Sequence, residues 1–149
     1  MIKILFVCHG NICRSTMAEF VMKDMVKKAG VGHLFEIASA ATSYEEIGND
    51  THRGTKAKLR EMGIPFTRRE ARRMTKADYE YYDYILGMDK YNISNILRIS
   101  GGDPEGKVGL LPDYGGLNRD IADPWYTGDF DLTYDDVDRS CRGLLNELI

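Results

Sequence analysis

Ile4-Leu5-Phe6-Val7-Cys8-His9-Gly10-Asn11-Ile12-Cys13-Arg14-Ser15 is a buried strand running into a polar loop and out into a helix. The unbroken apolar run Ile2 to Val7 reads as a parallel strand covered on both faces. Beyond the loop, Thr16 to Ala29 carries Met17, Phe20, Val21, Met25 and Val26 at helical spacing until Gly30 stops it. Within the loop, Cys8 stands at the strand's end facing a helix N-terminus, a setting that stabilises a thiolate. Successive loop N–H groups and the helix dipole favour a bound dianion. Arg14 adds a planar fork that matches two phosphate oxygens. A nucleophile and an oxyanion cradle in one loop point to phosphoryl transfer through cysteine. A lone buried cysteine is more often a passive small hydrophobe, and Cys-x5-Arg arises easily by chance. The preceding strand, the Gly-Asn pair and Arg-Ser at the helix start argue against that here.

Outward from this segment, strand-like and helix-like runs alternate. Leu34 to Ser39, Tyr84 to Met88 and Val108 to Leu111 read as further strands. Gly54 to Met62, Tyr91 to Ile99 and Leu132 to Leu148 read as helices, and Thr75-Lys76-Ala77-Asp78 resembles a capping box opening a short one. Gly115 to Asp131, rich in Gly and Asp, reads as loop. This order predicts one α/β domain over residues 1–149. Its architecture is a doubly wound, flavodoxin-like four-stranded parallel sheet with helices on both faces. Ligands of such sheets bind at the carboxyl ends of the strands, where the Cys8 loop falls.

The 149 residues suffice for one domain with a substantial core. A net charge of −3 and a pI near 5.6 argue against a nucleic-acid partner. Arg68, Arg69, Arg72 and Arg73 form a local basic cluster, read either as a solvated face or as an attractor of anionic substrates. Three cysteines give no even disulfide framework, and no stretch of about 20 apolar residues offers a membrane span. A reducing cytoplasm is the expected compartment. No HExxH, paired CxxC or Walker loop is present, so neither metal nor cofactor is expected.

Cysteine-based phosphoryl transfer needs an acid for the leaving group. Two Asp-Pro pairs offer one. Asp103-Pro104 sits in a Gly-rich segment that reads as a plain turn; Asp123-Pro124 is followed by Trp125 and Tyr126. Composition makes Asp123 the more interesting and does not settle the choice. Ser15 reads as a donor to the thiolate or as a helix cap. Asn11 is expected in the left-handed region, where it would bend the loop so that its amides converge.

The chain resembles the low-molecular-weight protein tyrosine phosphatases over essentially its full length. The likeness is carried by Val7-Cys8-His9-Gly10-Asn11-Ile12-Cys13-Arg14-Ser15 and by Asp123-Pro124-Trp125-Tyr126. Weaker matches are Ser39-Ala40-Ala41-Thr42-Ser43, Arg53-Gly54 and Asp83 to Asp89. The resemblance implies Cys8 as nucleophile, Arg14 as phosphoryl binder and Asp123 as general acid and base. It implies that His9, Gly10, Asn11, Ile12, Cys13 and Ser15 build the phosphate loop, and that Trp125 and Tyr126 wall a slot for a phenyl ring. Substrates would be phosphotyrosine-containing proteins, and phosphate the product. It also implies that Cys13 can form a disulfide with Cys8 that protects it from irreversible oxidation; otherwise Cys13 is a packing residue. Cys141 reads as structural. Family members often carry an aromatic residue a few positions before Gly48. Here Tyr44 and Glu45 occupy that region with the register open. Tyr44 is expected at the slot; if Glu45 takes its place, acidic substrates are disfavoured.

Three competing readings remain. Relatives specialised for phosphoarginine carry Thr where this chain has Ile12, so Ile12 favours phosphotyrosine. A thiol-dependent arsenate reductase would need two further cysteines in the later half, where only Cys141 stands. A non-catalytic phosphate-binding module would be favoured by loss of the thiol, the arginine or the acid, and all three are present.

Overall fold

Strand β1 (Ile2–Cys8) occupies the interior of a parallel sheet, paired with β2 (Phe35–Ala41) on one side and β3 (Tyr84–Gly87) on the other. The computed structural model describes residues 1–149. With β4 (Val108–Leu110) beyond β3, the sheet order is β2-β1-β3-β4, all parallel. The period of two along β1 divides the core. Ile4, Phe6 and Cys8 face one apolar cluster with Met17, Val21 and Leu144, while Leu5 and Val7 face another with Met74, Tyr79 and Ile96. Ile4 to Val7 are fully buried, each worth about 1.5–3 kcal/mol of apolar transfer. Sheet and helices on both faces agree with the sequence reading.

Helices α1 (Arg14–Lys28) and α7 (Phe130–Leu148) cover the first face. Helix α4 (Lys90–Ser100) and the short α3 (Lys76–Tyr81) cover the second. The expected capping box is present: the Thr75 amide donates to the Asp78 carboxylate at 2.8 Å. Helix α2 (Arg53–Glu61) packs beside α1 and α7.

Several element boundaries shift by one or two residues from expectation, and some depart in kind. Leu34 belongs to a 3-10 turn (Gly32–Leu34), and β2 continues through Ala40 and Ala41 because Val7 and Cys8 extend the pairing. Leu111, expected to end β4, instead opens a four-residue helix, α5 (Leu111–Tyr114), with Pro112 in its first turn. The expected loop 115–131 contains another, α6 (Pro124–Thr127), and α7 begins at Phe130 rather than Leu132, capped by Asp129 accepting from the Leu132 amide at 2.9 Å. β1 lies between β2 and β3, so the chain leaves it in opposite directions to reach its neighbours. The carboxyl end of β1 is therefore the switch point of the sheet.

Candidate active site

The loop from His9 to Cys13 joins β1 to α1. The carbonyls of Cys8, His9, Ile12 and Cys13 are occupied by donors from the surrounding segments and from α1. Cys8 O accepts from Thr42 N at 3.0 Å, and His9 O accepts from Ser43 N at 3.1 Å and Ser43 Oγ at 2.9 Å. Ile12 O accepts from His52 N at 2.8 Å and Thr16 Oγ1 at 3.0 Å. Cys13 O accepts from Met17 N at 3.1 Å and Thr55 Oγ1 at 3.2 Å. By contrast, no amide from His9 to Arg14 donates to any group of the protein. Buried amides rarely go unpaired, and a run of them curled around the end of a strand is an anion cradle.

Asn11 makes the curl possible. Its φ of 58° is the only positive one outside glycine, as the sequence predicts. Its buried carboxamide is fully used. Nδ2 donates to Ser15 Oγ at 2.8 Å and Ser39 Oγ at 2.9 Å, while Oδ1 accepts from the Arg69 guanidinium and from Arg72 N at 3.3 Å. The Ser39 hydroxyl in turn donates to Glu19 Oε1 at 2.6 Å. Ser15 Oγ, with Asn11 on its acceptor side, lies 3.0 Å from Cys8 Sγ and keeps its proton free for an ionised sulfur.

Arg14 is buried at the start of α1. Its Nη1 donates to Asp89 Oδ2 at 2.7 Å and to Ile121 O at 2.8 Å, and Nη2 stands 3.6 Å from Asp123 Oδ2. Nε is buried without a partner. Burial works to lower the guanidinium; Cys8, Asp89 and Asp123 outweigh it and raise it, so the charge is secure. Asp89 comes from the end of β3, beside β1, and also caps α4 by accepting from Asn92 N at 2.8 Å. Asp123 caps α6, its Oδ1 accepting from Trp125 N at 3.0 Å, which leaves Oδ2 facing Arg14. Asp103 is elsewhere. It accepts from Tyr79 Oη, Lys107 N and Val108 N, which fixes the turn before β4.

One cleft gathers Cys8, His9, Gly10, Ile12, Cys13, Asp123, Trp125 and Tyr126 with Glu45 and Glu46. Asn11 and Ser15 lie beneath it, buried. Tyr44 does not line it. That ring turns outward, 70% exposed, under the Arg73 guanidinium at 4.4 Å, and Glu45 and Glu46 take the wall instead. Trp125 stands edge-on to the His52 ring at 5.6 Å, and His52 stacks on Phe130 at 5.4 Å. His52 Nδ1 accepts from Gly54 N at 3.0 Å; burial and Arg53 lower the imidazole from its ordinary value, in keeping with that acceptor role.

The basic cluster has a structural use. Arg69 holds Asn11, Arg72 pairs with Asp78 at 2.9 Å, and Arg73 donates to Thr42 O at 3.2 Å. Cys8, Cys13 and Cys141 are free thiols. Burial, then Cys8, pushes the Cys13 thiol up to about 12, and burial raises Cys141 further within the core. No group of three or more His, Cys, Asp or Glu side chains converges to hold a metal ion, and no helix is long and apolar enough to cross a membrane. Sequence reasoning missed His52 and Phe130, and it noted Arg69 and Asp89 only within a basic cluster and a weak family match, without their contacts to Asn11 and Arg14.

Comparison with known proteins gives a consistent neighbourhood. The family profile described as low molecular weight phosphotyrosine protein phosphatase matches residues 3–149. The low molecular weight protein-tyrosine-phosphatase YfkJ of Bacillus subtilis is 37% identical over 147 residues, 97% of this chain and 94% of its own. Its crystal structure superposes with a TM-score of 0.95, covering 99% of this chain and 94% of that one. The low molecular weight protein tyrosine phosphatase SP-PTP of Streptococcus pyogenes gives 0.90 at 39% identity, covering 100% and 94%. The Drosophila arginine phosphatase DARP gives 0.90 at 27%, covering 99% and 98%.

Proposed function

The chain belongs to the low molecular weight phosphotyrosine protein phosphatase family, and from that premise we propose that it hydrolyses protein phosphotyrosine through Cys8, Arg14 and Asp123. It is a phosphatase acting on phosphoproteins, with phosphate as a product. The row of unpaired amides from His9 to Arg14, closed around Cys8, is the observation that carries the assignment of residues.

In this reading the equatorial phosphoryl oxygens take the loop amides and the Arg14 guanidinium, both fixed before substrate arrives. The Cys8 sulfur attacks phosphorus as the bond to the tyrosyl oxygen breaks, and Asp123 gives that oxygen its proton. The Ser15 hydroxyl, 3.0 Å away, supports the sulfur as it leaves again in the second step. There Asp123, now a carboxylate, takes a proton from water as the water oxygen displaces sulfur from phosphorus and phosphate departs. His9, Gly10, Ile12 and Cys13 line the cleft floor, and Trp125 and Tyr126 flank the ring. Tyr44 has no place in this reading.

Ile12 supports tyrosine over arginine as the phosphorylated residue, since its apolar side chain suits a phenyl ring. Cys13 is our candidate redox partner of Cys8. A thiol held up at about 12 condenses slowly at neutral pH, since the thiolate is the attacking form. The need for a reduced thiol favours the cytoplasm. The test is turnover, free of added metal, of phosphotyrosine, phosphoserine and phosphoarginine peptides side by side. Phosphotyrosine should lead clearly. A lead for phosphoarginine would move the chain to the other branch of its family, and no turnover of any would leave a binding module.

A further inference from the structure

The mouth of the cleft carries charge that the phosphoryl chemistry does not use. Glu45 and Glu46 stand on the segment after β2, and no lysine or arginine stands with them at the mouth, Arg14 lying buried below. Glu45 is largely exposed, its Oε2 2.9 Å from His9 Nε2, a contact any arriving cation can displace. Glu46 is set against the loop itself, its Cγ 3.3 Å from where a side chain on Gly10 would begin, and its Oε2 accepts from Asn49 Nδ2 at 2.6 Å. The Trp125 and Tyr126 rings, which line the same cleft, are 54% and 81% exposed. Such faces also attract ammonium and guanidinium groups. The dianion is drawn to the bottom of the cleft by Arg14 and the amides, so the carboxylates meet the residues on either side of the phosphotyrosine.

We infer that Glu45, with Glu46 beside it, is a specificity-determining residue that selects phosphotyrosines flanked by lysine or arginine. The inference rests on the phosphotyrosine reading above. A flanking cation exchanges the His9 contact for an ion pair with Glu45 and rests between carboxylate and ring. A flanking glutamate meets two like charges. Exposed pairs each shift an equilibrium by roughly one and a half- to fivefold, so the rim is worth about tenfold between the two kinds of flank.

The test uses three phosphotyrosine peptides identical except for Lys, Ala or Glu on both sides of the phosphotyrosine. The full chain, Glu45→Gln, Glu45→Lys and the double variant Glu45→Gln/Glu46→Gln are compared by the ratio of kcat/KM between peptides, which cancels differences in folded fraction. The parent should rank Lys over Ala over Glu across about tenfold. The span should shrink at about 0.5 M salt, where exposed charges are screened. The double variant should bring the ratios within about twofold, and Glu45→Lys should invert the order. Equal ratios in the parent, or an unchanged preference in the double variant, would overturn the inference. Failure of the parent to turn over any of the three would instead overturn the phosphotyrosine reading beneath it.

Discussion

Both N–H bonds of the Asn11 carboxamide end on serine hydroxyls, and its oxygen takes the Arg69 guanidinium. Arg69 can only donate, so it fixes which way the amide points and thereby keeps the Ser15 proton available to Cys8. Arg69→Met should leave the buried acceptor with only the longer Arg72 N–H bond at 3.3 Å, lower stability by about 1–3 kcal/mol and reduce kcat, with Arg69→Lys between it and the parent. Urea midpoints and single-turnover rates check both. The acid is separable in the same way. Asp123→Asn should lower kcat by roughly 10²–10⁴-fold on poor leaving groups and far less on aryl phosphates whose leaving group needs no proton. Asp103→Asn should cost stability, through the Tyr79, Lys107 and Val108 donors it holds, and leave the leaving-group dependence intact. A leaving-group effect at Asp103 would reverse the assignment. Cys8 and Arg14 are legible in the sequence because a single contiguous loop holds both. Asp89 and Arg69 are not, because their contacts with Arg14 and Asn11 span 75 and 58 positions and no periodicity links such pairs.

At the scale of elements, the aromatic wall depends on a glycine. A Cβ at Gly54 would lie 2.3 Å from the Phe130 ring, an overlap that must move the ring. Phe130 is the surface on which His52 stacks, and His52 in turn backs Trp125. Gly54→Ala should therefore raise KM for aryl phosphates more than it lowers kcat, because the Phe130 ring yields and moves the slot wall while the His52 amide and Thr55 hydroxyl still hold the Ile12 and Cys13 carbonyls of the loop. A kcat loss with KM unchanged would disconnect this stack from substrate binding. The sequence shows Arg53-Gly54 only as a weak family likeness; its reason is the close approach of α7, which appears only on folding. The strands and long helices were legible because β1 is continuously apolar and α1 carries a sustained helical stripe. Helices α5 and α6 were missed because four residues do not complete enough turns to show a period. Asp123-Pro124 did hold the signal, an N-cap followed by proline in the first turn.

At the scale of the molecule, the segment that carries Arg69 is tied down by charge. Desolvation works to raise Asp50, but the Lys56 ammonium and the Arg69 and Thr51 amides prevail and hold its carboxyl at about 2, against 3.8. A depressed carboxylate stabilises the fold above the unfolded value and loses that contribution as pH falls through the folded one. Asp50 should thus contribute about 1 kcal/mol after screening, since it is partly exposed. That contribution should fade between about pH 4 and 2, and Asp50→Asn should flatten this part of the acid-unfolding curve. A slope unchanged in the variant would assign the acid sensitivity elsewhere. In the mechanism proposed above, strand end, amide cradle and late acid loop together make a covalent phosphoenzyme on Cys8. The most direct measurement is rapid acid quench during turnover of an aryl phosphate, followed by peptide mapping by mass spectrometry at low pH. The account predicts one phosphoryl group on the peptide bearing Cys8, absent in Cys8→Ser, which should bind phosphate analogues without turning over substrate. Phosphoryl on any other residue, or sustained turnover by Cys8→Ser, would contradict it.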